Sequence, residues 1–192
     1  MKKLLITGFD PFGGAQVNPS WEAIRRLPDQ IGNCMLRKLE IPTVFRKATE
    51  NVLTAAKNYA PDVILCIGQA GGRSVVTPER IAVNICDARI PDNAGNQPHD
   101  ERIIPEGPAA YFATLRPELL RDAILQAGIE AAVSNSAGAF VCNDTLYRLL
   151  HHYADTPVKV GFIHIPYLPE QGTPSMPLED MIAALTAAIQ VI

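Results

Sequence analysis

KLLITGF (residues 3–9) and DVILCIG (residues 62–68) are the two stretches of sequence that decide the fold. Both are short apolar runs bounded by glycine, proline or aspartate, which is typical of β-strands buried on both faces. Between them, apolar residues recur at helical spacing, and such a helix must stop near Pro61. These positions are Ala48, Val52, Ala55, Ala56 and Tyr59. The sequence therefore predicts a strand–helix–strand unit.

The same alternation continues along the rest of the chain. The further predicted strands are CMLRKLEIP (34–42), RIAVNIC (80–86), AAVS (131–134) and VKVGFIHI (158–165). The further predicted helices cover residues 20–27, 117–128, 143–153 and 177–190. Because strands that alternate with helices form parallel sheets covered on both faces, we predict a three-layer α/β/α sandwich with a central, mostly parallel twisted sheet. We expect residues 1–192 to form one domain.

Composition argues against several classes of protein. The chain has 192 residues, of which 47% are apolar and 19% charged, and a net charge of −3, so we expect no nucleic-acid partner. The apolar run in MKKLLITGFD (1–10) is too short for a signal peptide, and no stretch approaches the roughly 20 apolar residues of a membrane helix. We expect a cytoplasmic protein with no membrane partner, whose four scattered cysteines are free thiols.

One long segment breaks the alternation of strands and helices. Residues 86–117 contain five prolines and no sustained hydrophobic period. In a compact domain, such a segment is usually a functional loop, a lid or disordered. The strand and helix pattern resumes after it, which argues against a linker between two domains.

Four unusual loops leave the predicted strands or precede a helix. They are GFDPFGG (8–14), GQAGGR (68–73), SAGAFVCN (136–143) and HIPYLPEQG (164–172). Ligands in open α/β sheets bind beyond the carboxyl ends of the strands, so these loops are expected to meet at one site. The first two are glycine-rich, but neither fits a known phosphate-binding template, so nucleotide binding is only an alternative.

Cys142 lies between an apolar run and a predicted helix. Asn143 and Asp144 are good capping residues, which puts the thiol at or just before the first helical turn. The helix dipole and the unpaired N–H groups there favour the nucleophilic thiolate. The alternative is that a small buried residue was required under the sheet. The remaining cysteines lack such a position and are expected to be inert: Cys34, Cys66 and Cys86.

A nucleophilic cysteine needs a base, and His164 is the best candidate. It ends a predicted strand and opens a proline-bracketed turn, a position where catalytic groups are commonly presented. Two histidines at the far end of the Cys142 helix would be about 15 Å from the thiol, and one in the long loop is more simply a solvated residue. These three are His151, His152 and His99.

Glu79 is the candidate for the group that orients the imidazole. It stands between a proline turn and a buried run, an unusual place for a charge without a partner. The alternative is that Glu79 and the adjacent Arg80 form a solvated ion pair at the start of a strand.

These segments together resemble the pyroglutamyl peptidase I family of cysteine peptidases, also called pyrrolidone-carboxylate peptidases. The resemblance covers nearly the whole chain, and the family's glutamate, cysteine and histidine triad maps onto Glu79, Cys142 and His164. The segments that carry it are GFDPFGGAQVNPSW, GQAGGRSVVTPERIAVN, DARIPDNAGNQP, VSNSAGAFVCN and GFIHIPYLPEQ. It implies an α/β/α sandwich, a homotetramer, and no metal or organic cofactor.

The resemblance also implies the substrate and its contacts. The activity would be removal of N-terminal pyroglutamate from peptides through a pyroglutamyl thioester. Phe9, Phe12 and Phe140 would form apolar walls, Gln69 would hydrogen-bond near the lactam, and Arg89 would add positive charge or tether its loop by a salt bridge. Two other interpretations are a non-catalytic or nucleotide-binding α/β domain and a serine hydrolase. The latter would use Ser134 or Ser136, but neither has the G-x-S-x-G setting.

Overall fold

The structure is a computed structural model that describes all of residues 1–192. Eight strands and five helices alternate along most of the chain. The strands are β1 (Lys2–Phe9), β2 (Gln30–Ile31), β3 (Cys34–Ile41), β4 (Val63–Gln69), β5 (Thr77–Pro78), β6 (Ile81–Val83), β7 (Ala110–Phe112) and β8 (Lys159–Ile165). The helices are α1 (Pro19–Arg26), α2 (Lys47–Tyr59), α3 (Pro117–Gln126), α4 (Val141–His152) and α5 (Leu178–Gln190).

Six of the strands form the central sheet, in the order β2-β3-β1-β4-β8-β5. The four middle strands are parallel to one another, and the short strand at each edge is antiparallel to its neighbour. This arrangement confirms the predicted mostly parallel α/β fold. The carboxyl ends of β1, β4 and β8 therefore meet at one edge, and in the register of the last pair Gly68 lies opposite His164.

Helices cover both faces of the sheet because the strands are apolar on both sides. Along β1, Leu4 and Ile6 belong to the core cluster shared with α1, α3 and α5. Leu5 and Phe9 point to the opposite face and pack with α2 and α4. Each fully buried leucine or isoleucine contributes about 1.5–3 kcal/mol to folding. Because successive side chains of each strand point to opposite faces of the sheet, the strands form two separate cores, one on each face. The result is a structure of three layers.

Two predicted strands are not strands of the central sheet. Residues 80–86 contribute only β6, which pairs antiparallel with β7 in a separate two-stranded sheet. At one edge of β6 a side chain, and not another strand, supplies the backbone hydrogen bonds. Asn143 accepts from the N–H of Val83 and donates to its C=O. Residues 131–134 form only single bridges, to Val76 and Glu79. Both segments are short, and their pairing partners are distant in sequence.

The long proline-rich segment is mostly irregular, as predicted, and contains β7. Its first half is held by Asp92, whose carboxylate accepts hydrogen bonds from the N–H groups of Phe45, Ala94 and Asn96. This buried carboxylate fixes the segment against the end of β3 and the start of α2. No helix of the protein combines the length and apolar character needed to cross a bilayer.

Candidate active site

A cavity of about 650 Å³ opens at the carboxyl edge of the central sheet. All four unusual loops contribute to it, as the position of ligand sites in α/β sheets predicts. Seven of the eight residues singled out from the sequence line this cavity: Phe9, Phe12, Gln69, Arg89, Phe140, Cys142 and His164. The eighth, Glu79, is buried behind His164.

His164 and Glu79 form a buried pair. The imidazole Nδ1 donates to Glu79 Oε1 over 2.7 Å, and both side chains are nearly inaccessible to solvent. Alternation along β8 turns His164 to the same face as Phe162, whose ring centre is 4.7 Å from that of the imidazole. Because Nδ1 is occupied by the carboxylate, Nε2 is the nitrogen free to exchange a proton in the cavity.

The environment of this pair sets its ionisation. Burial raises the pKa of Glu79, but the hydrogen bond and charge of His164, with a hydrogen bond from Arg73, outweigh burial and hold that pKa below its usual value. Burial lowers the pKa of His164, against the raising effect of Glu79, and the positive charge of Arg73 lowers it further. At neutral pH the pair is therefore an ionised carboxylate and a neutral imidazole.

Arg73, and not Arg80, is the cation beside Glu79. Its guanidinium donates to the same Oε1 atom over 2.7 Å, to Thr77 Oγ1 over 2.5 Å and to the carbonyl of Ser136 over 3.0 Å. Arg80 instead pairs with Glu118, so the alternative of a solvated Glu79–Arg80 pair is wrong. Arg73 is the last residue of the glycine-rich loop after β4 and the only basic residue in it. That position is the sequence signal that could have identified it.

Cys142 lies in the first turn of α4, at the helix start that the sequence indicated. The capping argument for this position is wrong, because the helix begins at Val141 and its N-cap residue, Phe140, makes no side-chain capping bond. Asn143 bonds to the β6 segment. Asp144 accepts from the backbone N–H of Arg46 and pairs with the Arg148 side chain.

The Cys142 sulfur packs directly against the sheet. A Cβ atom at Gly68 would lie 3.0 Å from Sγ and 2.8 Å from the Phe162 ring. Gly68 is also the residue opposite His164 in the pairing of β4 with β8. The absence of a side chain at this position therefore allows the first turn of α4 to approach the strand that carries His164.

The ionisation of Cys142 differs from the expectation. Burial, together with the charges of Glu79 and Cys66, raises the pKa of the Cys142 thiol to about 12, although Arg73 and the cysteine's own backbone N–H lower it. A charge at a helix end gains only about 0.3–1 kcal/mol at exposed sites, which is less than the desolvation of a buried thiolate. The resting group is therefore the thiol, and the predicted thiolate is wrong for this state.

Gln69 is oriented by Gln171, a residue that the sequence reasoning did not single out. Gln171 Nε2 donates to Gln69 Oε1 over 3.1 Å and to the carbonyl of Val17 over 3.2 Å, and Gln171 Oε1 accepts from the N–H of Leu168 over 2.9 Å. The oxygen of Gln69 is thus occupied, and its NH₂ group is left as a donor for the cavity. Only the fold brings residues so distant in sequence together.

Aromatic side chains form the apolar part of the cavity. Phe12 and Phe140 lie with ring centres 6.0 Å apart, and Phe45 supports Phe140 edge-on from behind at 5.2 Å. Phe9 is buried at the end of β1 and packs on Phe162 at 6.2 Å. Arg89 is exposed and makes no ion pair, so the alternative of a tethering salt bridge is not observed.

The other candidate groups lie away from this arrangement. All four cysteines are free, which confirms the predicted thiols, and the three besides Cys142 are buried. His151 bonds Tyr111 over 2.8 Å. The Ser134 hydroxyl donates to the carbonyl of Ser136, so the geometry does not favour the serine hydrolase alternative. No group of three or more histidine, cysteine, aspartate or glutamate side chains is arranged to hold a metal ion.

Comparisons with known proteins agree with one another. A family model described as pyroglutamyl peptidase matches residues 2–192. A pyrrolidone-carboxylate peptidase of Levilactobacillus brevis is 53% identical in an alignment of 197 positions that covers 99% of this chain and 97% of the relative. One from Staphylococcus saprophyticus is 51% identical, over 99% of this chain and 92% of the relative.

Solved structures give the same result. The crystal structure of Bacillus amyloliquefaciens pyroglutamyl peptidase I superposes with a TM-score of 0.95 at 47% identity, covering 99% of this chain and 96% of that one. The pyrrolidone carboxyl peptidase of Thermococcus litoralis superposes with a TM-score of 0.92 at 41% identity, covering 100% of this chain and 93% of that one.

Proposed function

Because the chain belongs to the pyroglutamyl peptidase family of cysteine peptidases, we propose that it hydrolyses the amide bond after an N-terminal pyroglutamyl residue of a peptide. The observation that carries this proposal is the meeting of Cys142 and His164 in one cavity, with the imidazole bonded to an ionised Glu79 over 2.7 Å. The substrate is that for which the relatives are named, and the chemistry of the cavity agrees with it.

The reaction begins from a neutral thiol and a neutral imidazole. His164 Nε2 accepts the thiol proton as Cys142 Sγ attacks the carbonyl carbon of pyroglutamate, which avoids a free thiolate in a buried site. The tetrahedral intermediate collapses when His164 returns the proton to the leaving amine. A pyroglutamyl thioester remains, and water, deprotonated by the same imidazole, hydrolyses it to pyroglutamate and the free thiol.

Glu79 and Arg73 control the imidazole during this cycle. The ionised carboxylate fixes the tautomer in which Nδ1 carries a proton, and it stabilises the imidazolium that forms after proton transfer. Arg73 shares the same carboxylate oxygen and opposes the imidazolium charge. Glu79 therefore makes His164 a stronger base, and Arg73 makes it a better acid towards the leaving amine.

The oxyanion needs donors near Cys142 Sγ. The N–H of Cys142 lies in the first turn of α4, where backbone N–H groups have no helical acceptor, so we assign it as one donor. Arg89 is exposed, lines the same cavity and makes no ion pair, so its guanidinium is free to add positive charge.

The lactam is recognised by shape and by one oriented amide. Pyroglutamate is flat and uncharged, which suits walls formed by Phe9, Phe12 and Phe140. The NH₂ group of Gln69, whose oxygen is occupied by Gln171, is placed to donate to the lactam carbonyl. An N-terminal proline lacks that carbonyl and carries an ammonium charge, so it would leave polar groups unpaired.

We further propose that residues 1–192 form a single catalytic domain that acts in the cytoplasm as a homotetramer. The exposed apolar side chains support self-association, with Phe112 69%, Val191 49% and Leu119 43% exposed. Light scattering coupled to size-exclusion chromatography measures the assembly, and a monomeric mass would contradict the tetramer.

The test of the activity uses the wild type and Cys142→Ala side by side. We expect the wild type to release aminomethylcoumarin from the pyroglutamyl amide and not from the prolyl amide, and the variant to release neither. One equivalent of iodoacetamide should abolish wild-type activity, with Cys142 as the alkylated residue. Turnover retained by Cys142→Ala would move the nucleophile elsewhere.

A further inference from the structure

A second cavity lies beside the first two turns of α4. Its volume is about 330 Å³, and it shares no lining residue with the active-site cavity. Polar and charged side chains line most of it, and three of them are arginines. We call it the arginine cavity, after Arg46, Arg102 and Arg148. What this cavity can bind depends on how far the protein itself neutralises these three cations.

Asp144 is the buried carboxylate of the arginine cavity, and the protein satisfies it completely. One of its oxygens accepts from Arg148 Nε over 2.7 Å and from the Cys86 thiol over 3.6 Å. The other oxygen accepts from the backbone N–H of Arg46 over 2.9 Å. The only ion pair of Asp144 is the one with Arg148. Asp144 therefore neutralises Arg148 and leaves the other two guanidinium groups of the cavity without a counter-charge.

Each of the three arginines keeps donors that no protein group uses. Arg148 and Arg102 each spend one terminal nitrogen, Nη2, on a backbone carbonyl, over 3.1 Å to Ile103 and over 2.8 Å to Gly107. Their Nη1 groups make no hydrogen bond within the protein. Arg46 is exposed, and its guanidinium makes none at all. The cavity thus holds N–H donors on three side chains without acceptors.

Positive charge is also in excess in the arginine cavity. Three arginines lie with two carboxylates, Asp144 and Glu101, and the second of these is exposed and forms no ion pair. Guanidinium groups bind phosphate well because their planar pairs of N–H groups match two phosphate oxygens at once. We propose that the arginine cavity binds a phosphate group through Arg46, Arg102 and the free Nη1 of Arg148. Its volume accommodates either inorganic phosphate or a small phosphate ester.

A phosphate group in this cavity connects three separate parts of the chain. Arg46 precedes α2, Arg102 belongs to the long irregular segment, and Arg148 lies in α4. The same irregular segment lines the arginine cavity at residues 96–98 and the active-site cavity at residues 87, 89 and 90. A ligand that binds the folded protein and not the unfolded chain stabilises the fold. Phosphate should therefore raise the midpoint of thermal unfolding.

The experiment titrates the protein with inorganic phosphate and with glycerol 2-phosphate in a calorimeter, and thermal unfolding gives a second readout. Ionic strength is held constant with NaCl, so that screening is the same at every phosphate concentration. We expect saturable binding to the wild type and about ten-fold weaker binding to Arg46→Gln and to Arg102→Gln, since each loses charge-assisted hydrogen bonds. Arg148 is left intact because its removal would unpair the buried Asp144.

The two ligands distinguish the source of the phosphate group. Equal affinity for both assigns the site to the phosphate group alone. Tighter binding of glycerol 2-phosphate assigns it to a phosphate ester. Both results support the proposal, and absence of saturable binding of either ligand to the wild type overturns it.

Two control variants locate the bound phosphate. Arg37→Gln removes an arginine that is exposed on β3, forms no ion pair and lines neither cavity, so its affinity should equal that of the wild type. Arg89→Gln should also bind as the wild type does, because Arg89 lines the active-site cavity instead. An equal loss of affinity in Arg37→Gln, or a loss in Arg89→Gln with none in Arg46→Gln and Arg102→Gln, overturns the proposed site.

Discussion

The Cys142 thiol lies where two opposing electrostatic effects meet. The first turn of α4 favours its ionisation, whereas burial beside Glu79 raises its pKa to about 12. Desolvation dominates because the sulfur lies against the sheet beside Gly68, where a Cβ atom would come within 3.0 Å of Sγ. A catalyst that starts from the thiol depends on a neutral imidazole, so the activity should follow the titration of His164 on the acid side.

Glu79→Gln tests the role of the carboxylate at constant size. Because Glu79 raises the pKa of His164, the variant should have a lower His164 pKa, and the acid limb of the kcat/KM profile should move to lower pH. Loss of the orienting charge should reduce kcat roughly 10²- to 10⁴-fold. Glu118→Gln, which removes only an exposed partner of Arg80, should match the wild type. An acid limb that moves to higher pH would contradict this assignment.

Arg73→Met should move the same limb in the opposite direction. The positive charge of Arg73 lowers the pKa of His164, so its removal raises that pKa, and on the acid side the variant loses activity at a higher pH than the wild type. Arg73→Lys keeps the positive charge, so the acid limb of its kcat/KM profile should lie closer to that of the wild type than the limb of Arg73→Met does. Arg80→Met serves as the control, since that side chain pairs with Glu118. If activity falls with the pH profile unmoved, Arg73 has only a structural role.

The ionic partner of Glu79 could not be predicted from single residues of the sequence. The sequence identified Glu79 as a charge in need of a partner, but which arginine it meets depends on how the loop after β4 folds back over β5. The same holds for Gln69 and Gln171, whose contact joins two loops distant in sequence. Residue type and local position were sufficient for Cys142, at a helix start, and for His164, at a strand end, because those signals are local.

Among the elements, the contact between α4 and β6 decides where Cys142 stands. Asn143, fully buried, donates to the carbonyls of Val83 and Ile85 and accepts from the N–H of Val83. This one side chain satisfies an unpaired strand edge and fixes the first turn of α4 beside it. The sequence suggested a cap at this position because asparagine is common there, whereas its actual function is tertiary.

Asn143→Ala tests that contact. The variant leaves buried backbone groups of β6 without partners, which should lower the free energy of unfolding by about 1–3 kcal/mol. Urea denaturation followed by circular dichroism measures the change. Asn58→Ala is the matched control, because Asn58 is exposed on α2 and should change stability little. Equal stability of the two variants would show that Asn143 does not tie α4 to β6.

The central strands were predictable because their signal is contained within each run. β1, β4 and β8 are continuous apolar segments, and burial on both faces requires that pattern. Residues 80–86 have a similar composition, yet β6 pairs with β7, which lies far along the chain. A strand's partner is decided by tertiary contacts, so the composition of this segment did not distinguish the central sheet from a separate hairpin-like pair.

For the whole molecule, the buried thiols link stability to alkaline pH. Burial raises the pKa of Cys66, Cys86 and Cys142 to about 12, so all three stay neutral in the folded state well above pH 9. An unfolded thiol ionises near ~8.5. The folded-state pKa is the higher one, so the stabilisation is complete below pH ~8.5 and is lost as pH rises towards the folded value.

The free energy of unfolding should therefore fall steeply above pH 9. Each of the three thiols contributes a loss of about 1.4 kcal/mol per pH unit in this range, since the unfolded state releases one more proton per thiol. Urea denaturation at pH 7, 9 and 10, with reductant present to prevent disulfides, measures the slope. Cys66→Ala removes one such thiol from the core and should reduce the slope by about 1.4 kcal/mol per pH unit, whatever its effect on stability at pH 7. Because the slope counts protons and not contacts, a Cys66→Ala protein with the slope of the wild type would show that this thiol does not stay protonated in the folded state.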